Sequence, residues 1–146
     1  MINSVAVSPQ TVATQANILF PTDRVRTRRA DVCGRCSTGW LSHDLGSGQF
    51  TLVNNTCNCT IFEVQSNMNI TAGTTGALSF VIQTNGEAVG GTQMDYTVAT
   101  ANTYGNVSAS TLIRVPAGGS VVVSVKNISL IPALVKDANI IVKKVA

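Results

Sequence analysis

Four cysteines are the residues of this chain whose type and spacing best suit chemistry. Cys33 and Cys36 form a C-x₂-C pair, and after twenty further residues Cys57 and Cys59 form a C-x-C pair. Sulfur ligands from two such loops can hold a tetrahedral Zn²⁺, so the pattern predicts a structural zinc site. The C-x-C pair is shorter than the usual C-x₂-C, which leaves one or two disulfides, or unlinked thiols, as alternatives.

The other reactive residue types do not indicate catalysis. Ser42, His43 and Asp44 supply the three side chains of a hydrolase triad, but adjacent residues cannot place the histidine between the other two. His43 is also the single histidine of the chain. The acidic residues of the later part of the chain are scattered over different predicted strands, which disfavours the paired carboxylates of a glycosidase. We therefore predict that the protein is not an enzyme.

Arginines are concentrated near the N-terminus. Half of the ten basic residues lie within twelve positions: Arg24, Arg26, Arg28, Arg29 and Arg35. Because basic and acidic residues balance beyond residue 36, the whole formal charge of +3 belongs to the N-terminal quarter. This segment could dock on an acidic surface of another protein through charge-assisted contacts. Alternatively, its arginines alternate along an exposed edge strand and protect that strand from aggregation. Nucleic acid is disfavoured as a partner, because no aromatic platform accompanies the arginines.

The elements that position these residues are predicted to be strands. Hydrophobic residues make up 45% of the 146 positions, charged residues 12% and aromatic residues 5%. Valine, threonine, isoleucine, serine and asparagine dominate, and such a composition is typical of an all-β protein. It excludes a helical bundle, a coiled coil and an intrinsically disordered chain.

Neither a signal peptide nor a membrane helix is predicted. The first twenty residues lack a basic region and an unbroken apolar run, and no stretch approaches the ~18 apolar residues of a membrane span. We expect a protein that is made in the cytoplasm and has no membrane partner. Five Asn-x-Ser/Thr sequons are interpreted as a by-product of composition; they begin at Asn54, Asn58, Asn69, Asn106 and Asn127.

Short β-type runs separated by turn residues follow residue 49. Apolar and polar residues alternate through residues 60–71, which predicts a half-buried strand. Asn85-Gly86 is a type I′ hairpin signal, and Gly90-Gly91 interrupts the strand after it. About eight antiparallel strands at this spacing predict a sandwich or barrel. We place this domain at residues 49–146 and treat residues 1–48 as an irregular, basic N-terminal arm that includes the first cysteine pair.

The order of motifs over residues 50–146 resembles small jelly-roll proteins encoded by bacteriophages and prophages of gut Firmicutes. The motifs are Phe62-Glu63-Val64, Asn69-Ile70-Thr71, Leu78–Ile82, Asn85-Gly86-Glu87, Tyr104–Ser108, Ile113–Pro116, Val123–Asn127 and Asn139–Val142. Those proteins look like the trimeric jelly rolls of the tumour-necrosis-factor and complement type. The resemblance implies an all-β, antiparallel jelly-roll sandwich, a homotrimer, and a structural or surface role.

The resulting prediction is a phage virion structural protein, a trimeric decoration or fibre protein displayed on the particle. Its N-terminal arm would anchor it to an acidic surface of another virion protein. The alternative is a receptor- or glycan-binding tip of a tail fibre or cell-surface fibre. Binding tips usually expose aromatic residues, and Trp40, Tyr96 and Tyr104 are the only tryptophan and tyrosines here. The structural role is therefore favoured.

Overall fold

The computed structural model describes residues 1–26 and 39–146, and these residues form strands, turns and loops. The strands are β1 (Ile2–Ala6), β2 (Gln10–Val12), β3 (Thr22–Arg26), β4 (Leu41–Asp44), β5 (Gln49–Val53), β6 (Thr60–Thr71), β7 (Gly76–Thr84), β8 (Glu87–Ala88), β9 (Met94–Val98), β10 (Gly105–Val115), β11 (Ser120–Asn127) and β12 (Ala133–Lys144). None of the described residues forms a helix that is long and apolar enough to span a membrane.

The strands form two antiparallel sheets packed face to face. The front sheet has the order β10-β6-β12-β1-β3, with β2 also paired to β12. The back sheet has the order β4-β5-β11-β7-β8, with β9 also paired to β7. This architecture confirms the predicted all-β antiparallel sandwich. The described residues contain more strands than the eight or so expected, partly because four of the strands lie before residue 49.

The core lies between the two sheets and follows from strict alternation along the long strands. In β6, Phe62, Val64, Met68 and Ile70 are fully buried, as their period of two predicts. The remaining phenylalanines, at positions 20, 50 and 80, are also fully buried and fill the same core. Side chains at the alternate positions of β6 face outward, so the strand has one apolar face and one polar face.

The predicted hairpin is confirmed at Asn85-Gly86. The two residues have φ angles of 51° and 84°, the left-handed pair that a type I′ turn requires. Glycine and asparagine tolerate this region better than other residues do. The strand that follows is interrupted as expected, because β8 ends at Ala88 and β9 begins only at Met94, after a turn in which Gly91 has φ 82°.

The prediction of an irregular N-terminal arm is wrong for those residues of 1–48 that the structure describes. Strand β1 pairs along its whole length with β12, and Ile2, Ile18 and Phe20 are fully buried in the core. Removing residues 1–30 would therefore delete three strands of the sandwich rather than a detachable arm. The expectation rested on charge, and charge does not reveal that the uncharged residues between positions 2 and 20 complete the front sheet.

Candidate functional site

The outer face of the front sheet presents a largely uncharged surface built by the long strands. We call the outward side chains of β6, β10, β12 and β1 the front face. The strand register places them in rows across the sheet, and the two central rows are Ser110–Gln65–Ile141–Asn3 and Ser108–Asn67–Asn139–Val5. No residue of these rows carries a charge. Alternation along the strands fixes this arrangement, because the opposite set of side chains is committed to the core.

A depression with a volume of about 710 Å³ lies at the centre of the front face. It is lined by Gln65, Ser66, Asn67, Ser108, Ala109, Ser110, Asp137, Asn139 and Ile141. Asp137 is its single charged residue, and it lies in a bulge where β12 and β6 change register, with φ 48°. The depression therefore offers small hydroxyl and amide groups together with one carboxylate and two apolar side chains, those of Ala109 and Ile141.

The front face carries its charges mainly at the two ends of the strands. At the lower end, Lys143 Nζ lies 2.7 Å from Glu63 Oε2, and this lysine holds the pKa of Glu63 below its ordinary value. At the upper end, Lys136 Nζ lies 4.1 Å from the centroid of the Tyr104 ring, a cation–π contact. Apart from Asp137 in the depression, the middle of the face therefore presents uncharged side chains to a partner.

Amide side chains form a hydrogen-bonded network near the upper end of the front face. Asn106 Nδ2 lies 2.9 Å from Asn67 Oδ1 and 2.9 Å from Asn69 Oδ1. These contacts join three neutral amides on the sheet surface, and the three side chains have more donors and acceptors than these contacts use. The arrangement is suited to hydrogen bonding with a neutral partner.

The two ends of the sandwich differ in charge. At the lower end, where loops 54–59 and 116–119 lie, β3 and β12 finish at Arg26 and Lys144, and Arg114 is the last residue but one of β10. We call this the basic end. At the opposite end, loops 13–17, 72–75, 99–104 and 128–132 contain no Asp, Glu, Lys, Arg or His. Backbone hydrogen bonds join these loops to one another and to β11, and we call them the uncharged end.

The predicted partner-binding arginines are only partly described. Arg24 is an exposed residue of β3, and Arg26 is the last residue of that strand. Strand β3 is an edge of the front sheet, the position that the edge-protection alternative requires. Arg28, Arg29 and Arg35 lie outside the described residues. Strand β3 ends at the basic end, because Arg26 pairs with Ile2 and Ile2 with Val142.

The predicted metal ligands are likewise half described. Cys57 and Cys59 are exposed free thiols in the loop between β5 and β6, whereas Cys33 and Cys36 lie outside the described residues. Within residues 1–26 and 39–146, no group of three His, Cys, Asp or Glu side chains could hold a metal ion. Trp40 O accepts a hydrogen bond of 2.7 Å from Val53 N, so Trp40 lies beside the end of β5, the strand before the second cysteine pair. A zinc site with all four cysteines stays a prediction.

In the structure, His43 hydrogen-bonds to a residue that is distant in sequence. His43 Nδ1 lies 2.8 Å from Asp23 Oδ1, and Ser4 Oγ donates to the same oxygen at 2.5 Å. The imidazole is buried and stacks on Phe50, with ring centroids 4.0 Å apart. Asp23 lies between the serine and the histidine, so the histidine cannot take a proton from the serine as a triad requires. The cluster joins the β3 edge of one sheet to the β4 edge of the other.

Comparison with known proteins identifies the fold. No family model matches the chain, and no curated protein matches it by sequence. Among solved structures, Eiger TNF from S. frugiperda has a TM-score of 0.68 at 10% identity and covers 99% of this chain and 91% of its own. The globular domain of zebrafish complement 1qA protein has a TM-score of 0.58 at 8% identity, with coverages of 99% and 96%. Murine APRIL has a TM-score of 0.50 at 12% identity, with coverages of 95% and 95%.

These likenesses establish the fold. The chain is a jelly-roll sandwich of the kind found in the TNF and complement 1q structures, as its motifs predicted. The likeness spans nearly the whole chain and thus includes residues 1–26, in agreement with the position of β1 in the front sheet.

Sequence reasoning did not identify the front face as a site. Its signal was present in the alternate polar positions of β6, β10 and β12, where serine, asparagine and glutamine replace the lysine and glutamate of an ordinary solvent-facing strand. Those strands alone do not reveal that the positions become neighbours, because adjacency depends on the strand order β10-β6-β12.

Proposed function

We propose that the protein is a homotrimeric structural protein that associates through its front face. The single observation that carries this proposal is the pair of uncharged central rows on that face. The centres of protein interfaces are depleted in charged residues, because an unpaired charge loses its hydration on burial. A symmetric assembly would cover the face on every copy at once. The trimeric state, rather than a dimer, is supported by the motif resemblance to trimeric jelly rolls.

We further propose that the assembly is displayed on a phage particle and that its basic end points toward the particle. The first part is supported by the resemblance of residues 50–146 to phage-encoded jelly rolls. The second is supported by the position of Arg114 and Lys144 at that end, where β3 also finishes at Arg26, shortly before the other predicted arginines in the sequence. Positive charge there would attract an acidic surface of another virion protein and weaken the encounter at high salt. The basic end replaces the N-terminal arm as the proposed anchor.

Native mass measurement and particle analysis test this function together. The purified protein is expected to have the mass of three chains at micromolar concentration, and mass spectrometry of purified particles should find it as a stoichiometric component. A monomer would contradict the trimer, and a protein absent from particles would contradict the virion role. The two results are independent, so each part of the proposal can fail alone.

A binding tip is the second candidate function, and the uncharged end is the observation that favours it. Leu130 is 97% exposed at the tip of loop 128–132, and Tyr104 lies at the end of loop 99–104. An exposed apolar side chain and a tyrosine among hydroxyl and amide groups suit a neutral glycan. On this reading, a neutral-glycan array should give signals that Tyr104→Ala abolishes and that Thr97→Ala, an exposed change on β9, preserves. An array without signals would leave only the structural role.

A further inference from the structure

Cys59 differs from Cys57 in having a cation beside its sulfur. Both thiols are exposed, but the Arg114 guanidinium lies with Nη2 2.9 Å from Cys59 Sγ. Sheet pairing produces this contact, because Arg114 in β10 is opposite Ile61 in β6, two residues after Cys59. Exposed cysteines with a neighbouring arginine are the ones that react readily with electrophiles. Cys59 is therefore expected to be the thiol of the two that attacks an electrophile.

A buried asparagine holds the loop that carries the two thiols. Asn54 is 2% exposed, and its Nδ2 donates to the backbone oxygens of Asn58, Val115 and Pro116 at 2.7, 3.1 and 3.0 Å. Its Oδ1 accepts hydrogen bonds from the Thr56 backbone and hydroxyl at 3.1 and 2.7 Å. The cysteines thus occupy a fixed loop beside the turn that follows β10, which keeps Cys59 near Arg114.

The chain between the cysteines has a shape that allows a disulfide. Two residues of extended chain span up to about 7 Å between Cα atoms, whereas a disulfide needs about 4.4–6.8 Å. Residues 56–58 form a bend, which shortens the separation of positions 57 and 59 relative to an extended strand. The spacing of the two cysteines is therefore compatible with a disulfide.

We propose that Cys59 and Cys57 form a peroxide-reactive dithiol, with Cys59 as the attacking sulfur and Cys57 as the resolving one. The Cys59 sulfur bonds to one oxygen of hydrogen peroxide, the O–O bond breaks, and the other oxygen leaves as water with the thiol proton. The Cys57 sulfur then attacks the Cys59 sulfenic acid, the S–O bond breaks, and a second water leaves. The two sulfurs lose two electrons and the peroxide gains them. Arg114 attracts the negative charge that the Cys59 sulfur carries during attack.

Peroxide oxidation of the full chain, followed by alkylation and chymotryptic digestion, tests the proposal. Cleavage after Phe50 and Phe62 yields peptide 51–62, which contains Cys57 and Cys59 but neither Cys33 nor Cys36. This peptide should lose two hydrogen atoms and resist alkylation. In Cys57→Ser, a dione reagent should trap a sulfenic acid at Cys59, whereas Cys59→Ser should show little labelling at Cys57.

The rate of oxidation distinguishes a specific effect of Arg114 on Cys59 from a general effect of positive charge on the protein. Arg114→Gln should slow formation of the disulfide roughly tenfold, while the control Lys126→Gln, which removes a cation from β11 in the back sheet, should leave the rate unchanged. Equal rates in wild type and Arg114→Gln would overturn the role of the arginine. A disulfide from Cys57 or Cys59 to Cys33 or Cys36, or one zinc per chain that protects the thiols, would overturn the dithiol itself and support the earlier alternatives.

Discussion

Replacing Asn127 with alanine is expected to lower the free energy of unfolding by about 3 kcal/mol, because buried backbone oxygens lose their donor. Asn127 is fully buried at the end of β11. Its Nδ2 donates to the backbone oxygens of Val12, Ala13 and Ile131 at 3.0, 3.4 and 3.3 Å. Its Oδ1 accepts a hydrogen bond of 2.9 Å from Ser129 N. One side chain therefore joins the end of β2, the end of β11 and loop 128–132.

Alanine at this position cannot make any of these bonds, and water cannot reach the groups it leaves. Denaturant unfolding at a fixed protein concentration measures the effect, since association would otherwise contribute to the stability. Asn58→Ala is the matched control: Asn58 also begins a sequon but is exposed, so its replacement should change stability by no more than about 0.5 kcal/mol. A loss at Asn127 as small as that at Asn58 would show that the three carbonyls find other donors.

The same contacts explain why the sequons could not be interpreted individually from the sequence. Asn54 and Asn127 are buried with their side-chain amides fully engaged, whereas Asn58 and Asn106 are exposed. All of them read Asn-x-Ser/Thr. Burial depends on which loop each residue anchors, and that is set by contacts between segments distant in sequence, such as Asn54 with Val115 and Asn127 with Val12.

Local signals predicted the body of the sandwich and failed for its first strands. Strand β6 was predictable because its alternation runs for twelve residues, and the hairpin because Asn-Gly tolerates two left-handed residues. Strand β1 has five residues, four of them buried, so it shows little alternation. Its place is fixed by pairing with β12, at the other end of the chain. Short strands completed by such distant partners carry too weak a local pattern to be recognised.

The residue types of the candidate site could be predicted from the sequence, but their arrangement could not. Serine, asparagine and glutamine at alternate strand positions indicate uncharged outward faces, but two sheets each have an outer face. Choosing between them needs the strand order, which brings Ser110, Gln65 and Ile141 into one row. The cysteines were found by spacing, whereas the guanidinium beside Cys59 comes from β10, more than fifty residues later. Sequence reasoning therefore located reactive residues but not the neighbours that distinguish them.

A charge placed at Ser110 is expected to dissociate the proposed trimer. Ser110 is exposed on β10 and lines the central depression, so glutamate or lysine there leaves the core of the single chain untouched. In the assembly each copy would bury one unpaired charge, at a cost of about 3 kcal/mol or more, which is about a hundredfold in association for each charge. Both Ser110→Glu and Ser110→Lys should therefore run as monomers in sedimentation at a concentration where the wild type is a trimer.

Using both signs of charge distinguishes burial from attraction or repulsion at a distance. If position 110 stayed in solvent and interacted with a neighbouring copy only through long-range electrostatics, one sign of charge would weaken association and the other would strengthen it. If it is buried in the interface, both signs weaken it. Thr97→Glu and Thr97→Lys provide the control, because Thr97 is an exposed residue of β9 in the back sheet. All four variants should unfold at similar denaturant concentrations once compared as monomers. Trimers that persist in both Ser110 variants and dissociate in the Thr97 variants would move the association surface to the back sheet.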